Sequence, residues 1–358
     1  MFTFVLGTRP EIIKCSPLIR LFEREHVPYS IIHTGQHYSY EMDRIFFEDL
    51  QLPEPEYSLD AGSGSHGRQT GTILEGVERI LIAHTPSAVL VQGDTNTVLA
   101  GALAAVKLHV PVAHIEAGLR SFDRRMPEEI NRVVTDHIST YLFAPTTLAE
   151  RNLLSEGIDP GTIHVSGNTI VDAVFQNLDI SRKKSGRVTG TGGLKEGQFI
   201  LATAHRAENV DVKENLKGIL EGLKSLGNET GMPVVFPVHP RTRKMMEMFA
   251  LESDGLFTIP PVGYLEFLRL EASSCLVLTD SGGVQEEACI LKVPCVTLRE
   301  NTERPETIDA GANVLAGTDP LRIVREGLAM IGKKRDWKNP FGDGHAADRI
   351  LEVLLERL

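Results

Sequence analysis

Short apolar runs alternate along the chain with longer amphipathic stretches. Most runs are about four to six residues long, and most stretches between them are about ten residues or longer. Buried parallel strands joined by helices produce this alternation. The predicted strands lie at 2–6, 29–33, 88–92, 110–115, 141–144, 163–166, 199–203, 234–238, 257–259, 275–278 and 295–298. We therefore expect an α/β protein.

The distribution of these strands predicts two doubly wound domains. Segment 181–197 separates the two halves and is rich in Gly, Lys and Arg, as expected of an exposed connection. A length of 358 residues also exceeds what one hydrophobic core usually serves. The last segment, 344–358, has the apolar spacing of an amphipathic helix, and the sequence alone does not decide where it packs.

Composition excludes several classes of function. The net charge of −11 argues against general nucleic-acid binding, which depends on a basic surface. We find no window that resembles a membrane span and no signal peptide, so we expect a cytoplasmic protein. The four cysteines show no CxxC spacing and lie in apolar segments. We therefore expect buried free thiols and no metal site.

Charged residues follow the predicted strands. In open α/β sheets ligands bind beyond the carboxyl ends of the strands. Taken one at a time, these charged residues have ordinary explanations. Asp94 would be a helix N-cap, Glu116 a solvated charge and His205 a packed histidine. Together they predict one charged cleft between the domains. The stretches that follow strands in this way are Gly7 to Lys14, Gly93 to Thr97, Glu116 to Arg120, Ala204 to Asn209 and His239 to Arg241.

The run Thr279-Asp280-Ser281-Gly282-Gly283 predicts a phosphate site. It follows an apolar strand and precedes a helical stretch, so its backbone N–H groups lie at a helix N-terminus without Cβ atoms in the way. Glu287, further into the helix, would reach sugar hydroxyls of a ligand bound there. The alternative is an ordinary capped turn whose glycines serve backbone geometry.

Two further stretches contain groups of the same kind. Glu128 and Arg132 are four residues apart on one helix, so we expect Arg132 to hold Glu128, although a surface ion pair has the same spacing. Arg304 follows the strand at 295–298, where it would bind a phosphate; an irregular charged loop is the alternative.

These motifs occur together and in order, and with them the chain resembles the non-hydrolysing UDP-N-acetylglucosamine 2-epimerases over nearly its whole length. The resemblance implies a glycosyltransferase-B-like fold, in which two Rossmann-like domains face a cleft and the C-terminal helix crosses to the first domain. We accordingly expect domains at 1–170, completed by 345–358, and at 171–344. The motifs that carry the resemblance are Gly7 to Glu11, Gly93 to Thr95, Glu116 to Arg120, Pro127 to Arg132, Thr279 to Gly283 and Thr302 to Glu306.

The family resemblance also implies an activity. Its members interconvert UDP-GlcNAc and UDP-ManNAc, usually as homodimers without an added cofactor, and so supply precursors for polysaccharides. Acid–base roles fall on Asp94, Glu116, Glu128 and His205, although the face of C2 that each carboxylate serves is undecided. The residues implied in substrate binding or in support of the carboxylates are Arg9, Lys14, Arg132, Phe267, Ser281, Gly282, Gly283, Glu287 and Arg304.

Some members of the family bind a second UDP-GlcNAc that activates the enzyme. Parts of that site resemble Gln36, His37 and Arg68, with Arg206 and His239 as further candidates. Ser39 replaces a second glutamine found in some bacterial members, which leaves activation by substrate open.

Three alternatives share many of these residues. A hydrolysing epimerase would release UDP and free ManNAc from the same intermediate, and a glycosyltransferase of the same fold would use the Ser-Gly-Gly turn equally well. A nucleotide-sugar-binding regulator would need Arg9, Ser281 and Glu287 but none of the carboxylates Asp94, Glu116 and Glu128.

Overall fold

The computed structural model describes residues 1–35, 40–184 and 192–357, and the side chains of residues 40–43 are not described. The chain divides into two compact units: unit 1 comprises Met1–Gln176 and Phe341–Leu358, and unit 2 comprises Asn177–Pro340. Each unit is a parallel-sheet α/β domain, which confirms the predicted fold class. In the described part of the chain, no helix is long and apolar enough to cross a membrane.

Unit 1 contains a seven-stranded parallel sheet of order β3-β2-β1-β4-β5-β6-β7. Its strands are β1 (Phe2–Leu6), β2 (Tyr29–His33), β3 (Tyr57–Ser58), β4 (Ala88–Gln92), β5 (Val112–Ile115), β6 (Tyr141–Ala144) and β7 (Ile163–Val165). Its helices are α1 (Arg9–Arg24), α2 (Tyr40–Asp49), α3 (His66–Ala83), α4 (Asn96–Lys107), α5 (Pro127–Ile138), α6 (Thr147–Ser155) and α7 (Thr169–Lys183), which continues into unit 2.

Unit 2 contains a six-stranded parallel sheet of order β10-β9-β8-β11-β12-β13. Its strands are β8 (Ile200–Thr203), β9 (Val234–Pro237), β10 (Phe257–Ile259), β11 (Leu276–Thr279), β12 (Cys295–Thr297) and β13 (Asn313–Leu315). Its helices are α8 (Ala207–Val210), α9 (Lys213–Thr230), α10 (Pro240–Phe249), α11 (Tyr264–Ser273), α12 (Gly282–Ile290), α13 (Pro305–Asp309) and α14 (Pro320–Ile331).

The strand order reverses once in each sheet, between β1 and β4 in unit 1 and between β8 and β11 in unit 2. At such a point the connections leave to opposite sides, and a crevice opens beyond the carboxyl ends of the two strands. The segments that follow these four strands contain Arg9, Asp94, His205 and Ser281. The topology of each sheet therefore brings two of the predicted motifs together.

The C-terminal helix α15 (Ala346–Arg357) packs against α1 within unit 1. Its apolar face is buried through Ile350 and Leu354. The carboxylate of Asp172, on α7, accepts hydrogen bonds from the backbone N–H groups of Ala346 and Ala347 at 3.3 and 3.0 Å. An acidic side chain at a helix N-terminus satisfies N–H groups that have no partner within the helix. The expected return of this helix to the first domain is confirmed.

The sequence did not predict β3 and β13. These edge strands have only two and three residues, and each contains polar residues that interrupt the apolar run. The four cysteines, Cys15, Cys275, Cys289 and Cys295, are buried free thiols, as expected.

Candidate active site

Glu116 is the most constrained carboxylate of unit 1. It follows β5, it is 7% exposed, and its φ of 68° lies in the left-handed region that residues other than glycine rarely adopt. Lys14 Nζ lies 2.6 Å from Oε1, and Asn168 Nδ2 donates to the same oxygen at 3.0 Å. Gln92 Nε2 donates to Oε2. Burial and these three donors exclude the interpretation of Glu116 as a solvated loop charge.

Asp94 lies on the neighbouring turn. Strands β4 and β5 are paired up to Gln92 and Ile115, so the turns that follow them are adjacent. A Cβ placed on Gly93 would lie 4.0 Å from Glu116 Oε2. Asp94 is not the N-cap of α4, because the hydroxyl of Thr95 accepts the N–H of Val98 in that role.

The structure corrects the predicted pair of Glu128 and Arg132. Arg132 instead forms ion pairs with Asp94 and with Glu129, the latter at 2.8 Å. Asn131 reinforces this arrangement by donating to the carbonyl of Asp94 at 2.9 Å. Helix α5 thus packs on the β4–α4 turn and directs Arg132 to that turn. Glu128 is half-buried in the first turn of α5, with no ion-pair or hydrogen-bond partner among the described residues.

A carboxylate of unit 1 occupies the position at which a phosphate would bind after β1. Glu11 accepts hydrogen bonds from the backbone N–H groups of Gly7 at 2.6 Å and Thr8 at 3.2 Å. It also accepts the hydroxyl of Thr95 at 2.6 Å, which joins the β1–α1 turn to the β4–α4 turn. Complete burial raises the pKa of Glu11 to about 7, although these hydrogen bonds oppose the rise.

Of the remaining predicted ligands in unit 1, the structure describes Arg9 and Arg68. The guanidinium of Arg9, at the start of α1, lies 5.5 Å from the ring centre of Phe46. Arg68 is exposed on α3. Gln36 and His37 lie outside the described residues.

In unit 2, Asp280 organises the ends of β8 and β11. It is fully buried and accepts the backbone N–H of His205 at 3.0 Å and that of Arg206 at 2.9 Å. His205 Nδ1 lies 3.2 Å from the Asp280 carboxylate. Burial would raise the pKa of Asp280, but His205 and the backbone N–H groups outweigh it and hold the pKa below its usual value. The side chain of His205 is 38% exposed, so it is anchored at one edge and accessible rather than packed in the core.

The Ser-Gly-Gly turn is the N-terminus of α12, as predicted. Ser281 is its N-cap residue, yet its hydroxyl does not cap the helix. The N–H groups of Gly282 and Gly283 have no acceptor among the described residues, so they remain available to an anion. A Cβ on Gly282 would meet nothing closer than 3.8 Å and one on Gly283 nothing closer than 4.0 Å. Packing within unit 2 therefore does not require these two glycines.

Charged side chains from neighbouring segments surround this turn. Arg304 forms an ion pair with Glu286 at 2.7 Å. Arg206 lies 3.4 Å from Glu303, whose pKa is lowered to about 2, chiefly by its hydrogen bonds with Arg299. Arginine and glutamate side chains thus alternate around the turn in charge-balanced pairs.

The other predicted residues of unit 2 are placed as follows. His239 caps α10 by accepting the N–H of Arg241 at 3.2 Å, and its ring centre lies 5.5 Å from that of His205. Glu287 is 7% exposed and lies against Glu271. Burial raises the pKa of Glu271 well above its ordinary value, and the charge of Glu287 adds to the rise. Phe267 is half-buried against the core on α11, so its role as a core residue stays open.

Sequence reasoning missed Gln92 and Asn168, which hold Glu116. Gln92 is the polar last residue of the buried strand β4, and Asn168 follows β7. Both are polar residues at or just after the end of a predicted strand, and the same criterion identified the other candidates. Asp280 was noticed only as part of its motif, because the sequence does not show that its carboxylate turns toward the β8–α8 segment.

Known proteins resemble the chain over almost its whole length. A family model described as UDP-N-acetylglucosamine 2-epimerase matches residues 20–355. The UDP-N-acetylglucosamine 2-epimerase of Methanocaldococcus jannaschii is 56% identical over 358 residues, with 98% of each chain covered. The UDP-2,3-diacetamido-2,3-dideoxy-D-glucuronate 2-epimerase of Pseudomonas aeruginosa is 46% identical, also with 98% of each chain covered.

Solved structures also match the chain over almost its whole length. The crystal structure of the Methanocaldococcus jannaschii UDP-GlcNAc 2-epimerase in complex with UDP-GlcNAc and UDP matches with a TM-score of 0.86, at 55% identity and 99% coverage of both chains. The UDP-GlcNAc 2-epimerase of Neisseria meningitidis bound to UDP-GlcNAc matches with a TM-score of 0.87 at 33% identity, over 99% of this chain and 100% of that chain.

Proposed function

Because this chain belongs to the UDP-N-acetylglucosamine 2-epimerase family, we propose that it interconverts UDP-GlcNAc and UDP-ManNAc by the non-hydrolysing route. The observation that carries this proposal is the adjacency of two constrained carboxylates, Asp94 and Glu116, at the ends of paired strands. Each has a cationic partner, Arg132 and Lys14 respectively. Such a pair of carboxylates suits proton transfer at a carbon atom.

Elimination explains why carboxylates and cations are both needed. The C2 proton of the sugar is not acidic enough for simple removal, because no carbonyl group adjoins C2. A carboxylate removes this proton while the C1–O bond to UDP breaks, which leaves 2-acetamidoglucal and UDP. UDP then returns to C1 as a proton arrives at the other face of C2. The elimination and the re-addition together conserve atoms and charge, so this route needs no added cofactor.

The three carboxylates differ in their partners. Lys14, Gln92 and Asn168 donate to Glu116, and Arg132 pairs with Asp94, so the structure fixes the orientation of both side chains. Among the described residues, Glu128 has no such donor. We assign the proton transfers at C2 to these three residues.

The leaving diphosphate requires positive groups. In unit 2 we assign it to the N–H groups of Gly282 and Gly283, to Ser281 and to the side chains of His205 and Arg304, because helix N-termini and guanidinium groups stabilise phosphate charge. In unit 1 the candidate cation is Arg9. Asp280 holds the His205 ring in place through Nδ1. Glu287 binds the ribose hydroxyls, and Phe267 packs on the uracil ring.

A homodimer and activation by substrate belong to the same proposal. Ile130 and Val134 are exposed apolar residues four apart on α5, a spacing that places them on one face where a second copy would pack. Light scattering at several protein concentrations tests this assembly. Activation through Gln36, His37, Arg68, Arg206 and His239 would make the initial rate rise sigmoidally with UDP-GlcNAc concentration, and hyperbolic kinetics would exclude it.

A proton NMR time course in deuterated water tests the reaction. With UDP-GlcNAc as substrate, we expect UDP-ManNAc to form and deuterium to enter C2 of both nucleotide sugars. Release of UDP with free ManNAc identifies a hydrolysing epimerase instead. No reaction with UDP-GlcNAc, but epimerisation of UDP-2,3-diacetamido-2,3-dideoxyglucuronate, would move the substrate assignment to that of the Pseudomonas aeruginosa relative.

A further inference from the structure

His114 is completely buried on β5, at the junction of the three segments that contain Asp94, Glu116 and Glu128. Its Nδ1 lies 2.6 Å from Asp136 Oδ1, on α5. Its Nε2 lies 2.8 Å from the carbonyl oxygen of Gly93, in the turn that precedes Asp94. The His114 ring thus joins β5 to α5, which contains Glu128, and to the β4–α4 turn, which contains Asp94.

Both neighbours of the His114 ring are acceptors. A carbonyl oxygen can only accept, and the Asp136 carboxylate already accepts from two other donors: the backbone N–H of Gly118 at 3.1 Å and Arg120 Nη1 at 2.7 Å. Nε2 of His114 therefore carries a proton and donates it to the carbonyl oxygen of Gly93, while Nδ1 faces the Asp136 carboxylate.

Arg120 lies between two carboxylates of this cluster. It makes a bidentate ion pair with Glu156, with both distances at 2.7 Å, and an ion pair with Asp136 at 2.7 Å. Burial alone would raise the pKa of Asp136, but His114 and Arg120 outweigh it and keep the pKa below its usual value. We call His114, Arg120, Asp136 and Glu156 the His114 network.

The His114 network touches the backbone of both catalytic turns. His114 holds the carbonyl of Gly93, and Asp136 holds the N–H of Gly118, two residues after Glu116. Gly93 and Gly118 have φ values of 88° and 82°. Glu116, which directly follows β5, has a φ of 68°. A residue other than glycine is strained in this region, so the surrounding structure must hold Glu116 there.

We propose that His114 and Asp136 are positioning residues that fix the placement of Asp94 and Glu116 by holding the backbone of Gly93 and Gly118. This inference rests on the proposed function of the two carboxylates. Substitution of either residue should lower kcat and leave the affinity for UDP, which we assign largely to unit 2, within about twofold.

Graded variants test the positioning role. Glutamine retains one donor for Gly93, so His114→Gln should lower kcat about 10- to 100-fold, the effect of a misplaced catalytic group, and His114→Ala should lower it further. Asp136→Ala removes the acceptor of the Gly118 N–H and should behave like His114→Ala. The matched control is His164→Gln, on β7 of the same sheet, which touches neither turn and should retain wild-type kcat. A folded His114→Ala variant with wild-type kcat would overturn the role.

Two measurements are independent of turnover. In the wild-type protein at pH 7.5, ¹⁵N NMR of labelled histidine should show a proton on Nε2 of His114, with assignment from the spectrum of His114→Gln. Hydrogen exchange of the Gly118 amide should accelerate at least about tenfold in Asp136→Ala but not in His164→Gln. A His114 Nε2 without a proton, or unchanged Gly118 exchange in Asp136→Ala, overturns the proposal. If the wild-type protein epimerises no substrate, the proposed function fails, and these two measurements still decide whether the network holds the turns.

Discussion

Lys14 Nζ lies 2.6 Å from Glu116 Oε1, an ion pair between residues that are 102 positions apart in the chain. The side chains are 12% and 5% exposed, so solvent screens the pair weakly. A buried carboxylate whose cation is removed is strongly disfavoured in its charged form. The activity of Glu116 as a base should therefore depend on Lys14.

We expect Lys14→Met to lower kcat and to move the acid limb of the pH–rate profile to higher pH, because Glu116 loses the charge that favours its ionised form. Lys14→Arg should restore part of the rate. Lys107→Met, an exposed lysine of the same unit, is the control. An unshifted acid limb in Lys14→Met would show that Glu116 is not the base that limits the rate.

Amide substitution should separate catalysis from binding. Asp94→Asn, Glu116→Gln and Glu128→Gln should each lower kcat by roughly two to four orders of magnitude, the usual share of general acid–base catalysis. The dissociation constant of UDP, measured by calorimetry, should change little. Glu75→Gln, at an exposed position on α3, controls for the loss of one charge. Near-normal kcat in all three variants would refute the assignment of the carboxylates.

Gly282→Ala should weaken UDP binding without harming the fold. Unit 2 leaves room for a methyl group at this position, since the closest atom would be 3.8 Å away, but the methyl group would stand beside the N–H groups that we assign to the diphosphate. We expect the UDP dissociation constant to rise by about tenfold, the loss of roughly one hydrogen bond to a charged group.

Gly71→Ala is the matched control for Gly282→Ala. Gly71 lies in α3 with nothing within 4 Å of its added Cβ, and this substitution should stabilise unit 1 by about 0.4–1 kcal/mol with UDP affinity unchanged. Equal UDP affinity in Gly282→Ala and the wild type would mean that the diphosphate does not bind at this turn.

Glu11 should make the stability of unit 1 depend on pH. Its pKa is raised from 4.5 to about 7 by burial, so the folded chain binds this proton more tightly than the unfolded chain. The resulting stabilisation is fully present below about pH 4.5 and is lost as the pH rises through about 7. The shift corresponds to about 3 kcal/mol.

Urea unfolding at pH 4.5 and pH 8 tests this dependence. Glu11→Gln cannot titrate, so the variant should be less stable overall and should lose about 3 kcal/mol less than the wild type between the two pH values. Identical pH dependence in the two proteins would place the titrating group elsewhere.

The sequence by itself determined the fold class and predicted where the candidate site residues lie. Alternating apolar and amphipathic stretches are local patterns, and burial against parallel neighbours is the structure that satisfies them. Polar residues after β1, β4, β5, β8 and β11 predicted the edge of each sheet at which we propose that ligands bind. The Ser281-Gly282-Gly283 turn was readable for the same reason, since a helix N-terminus is defined by adjacent residues.

Tertiary structure decided which side chains meet. Helical spacing alone paired Arg132 with Glu128, but the packing of α5 on the β4–α4 turn gives Arg132 the stronger partners Asp94 and Glu129. The partners of Glu116 come from α1, β4 and the segment after β7, and no local pattern encodes contacts between positions so far apart. The same reason hides the contacts of the His114 ring from the sequence, because only the folded sheet brings Asp136 and the carbonyl of Gly93 to it.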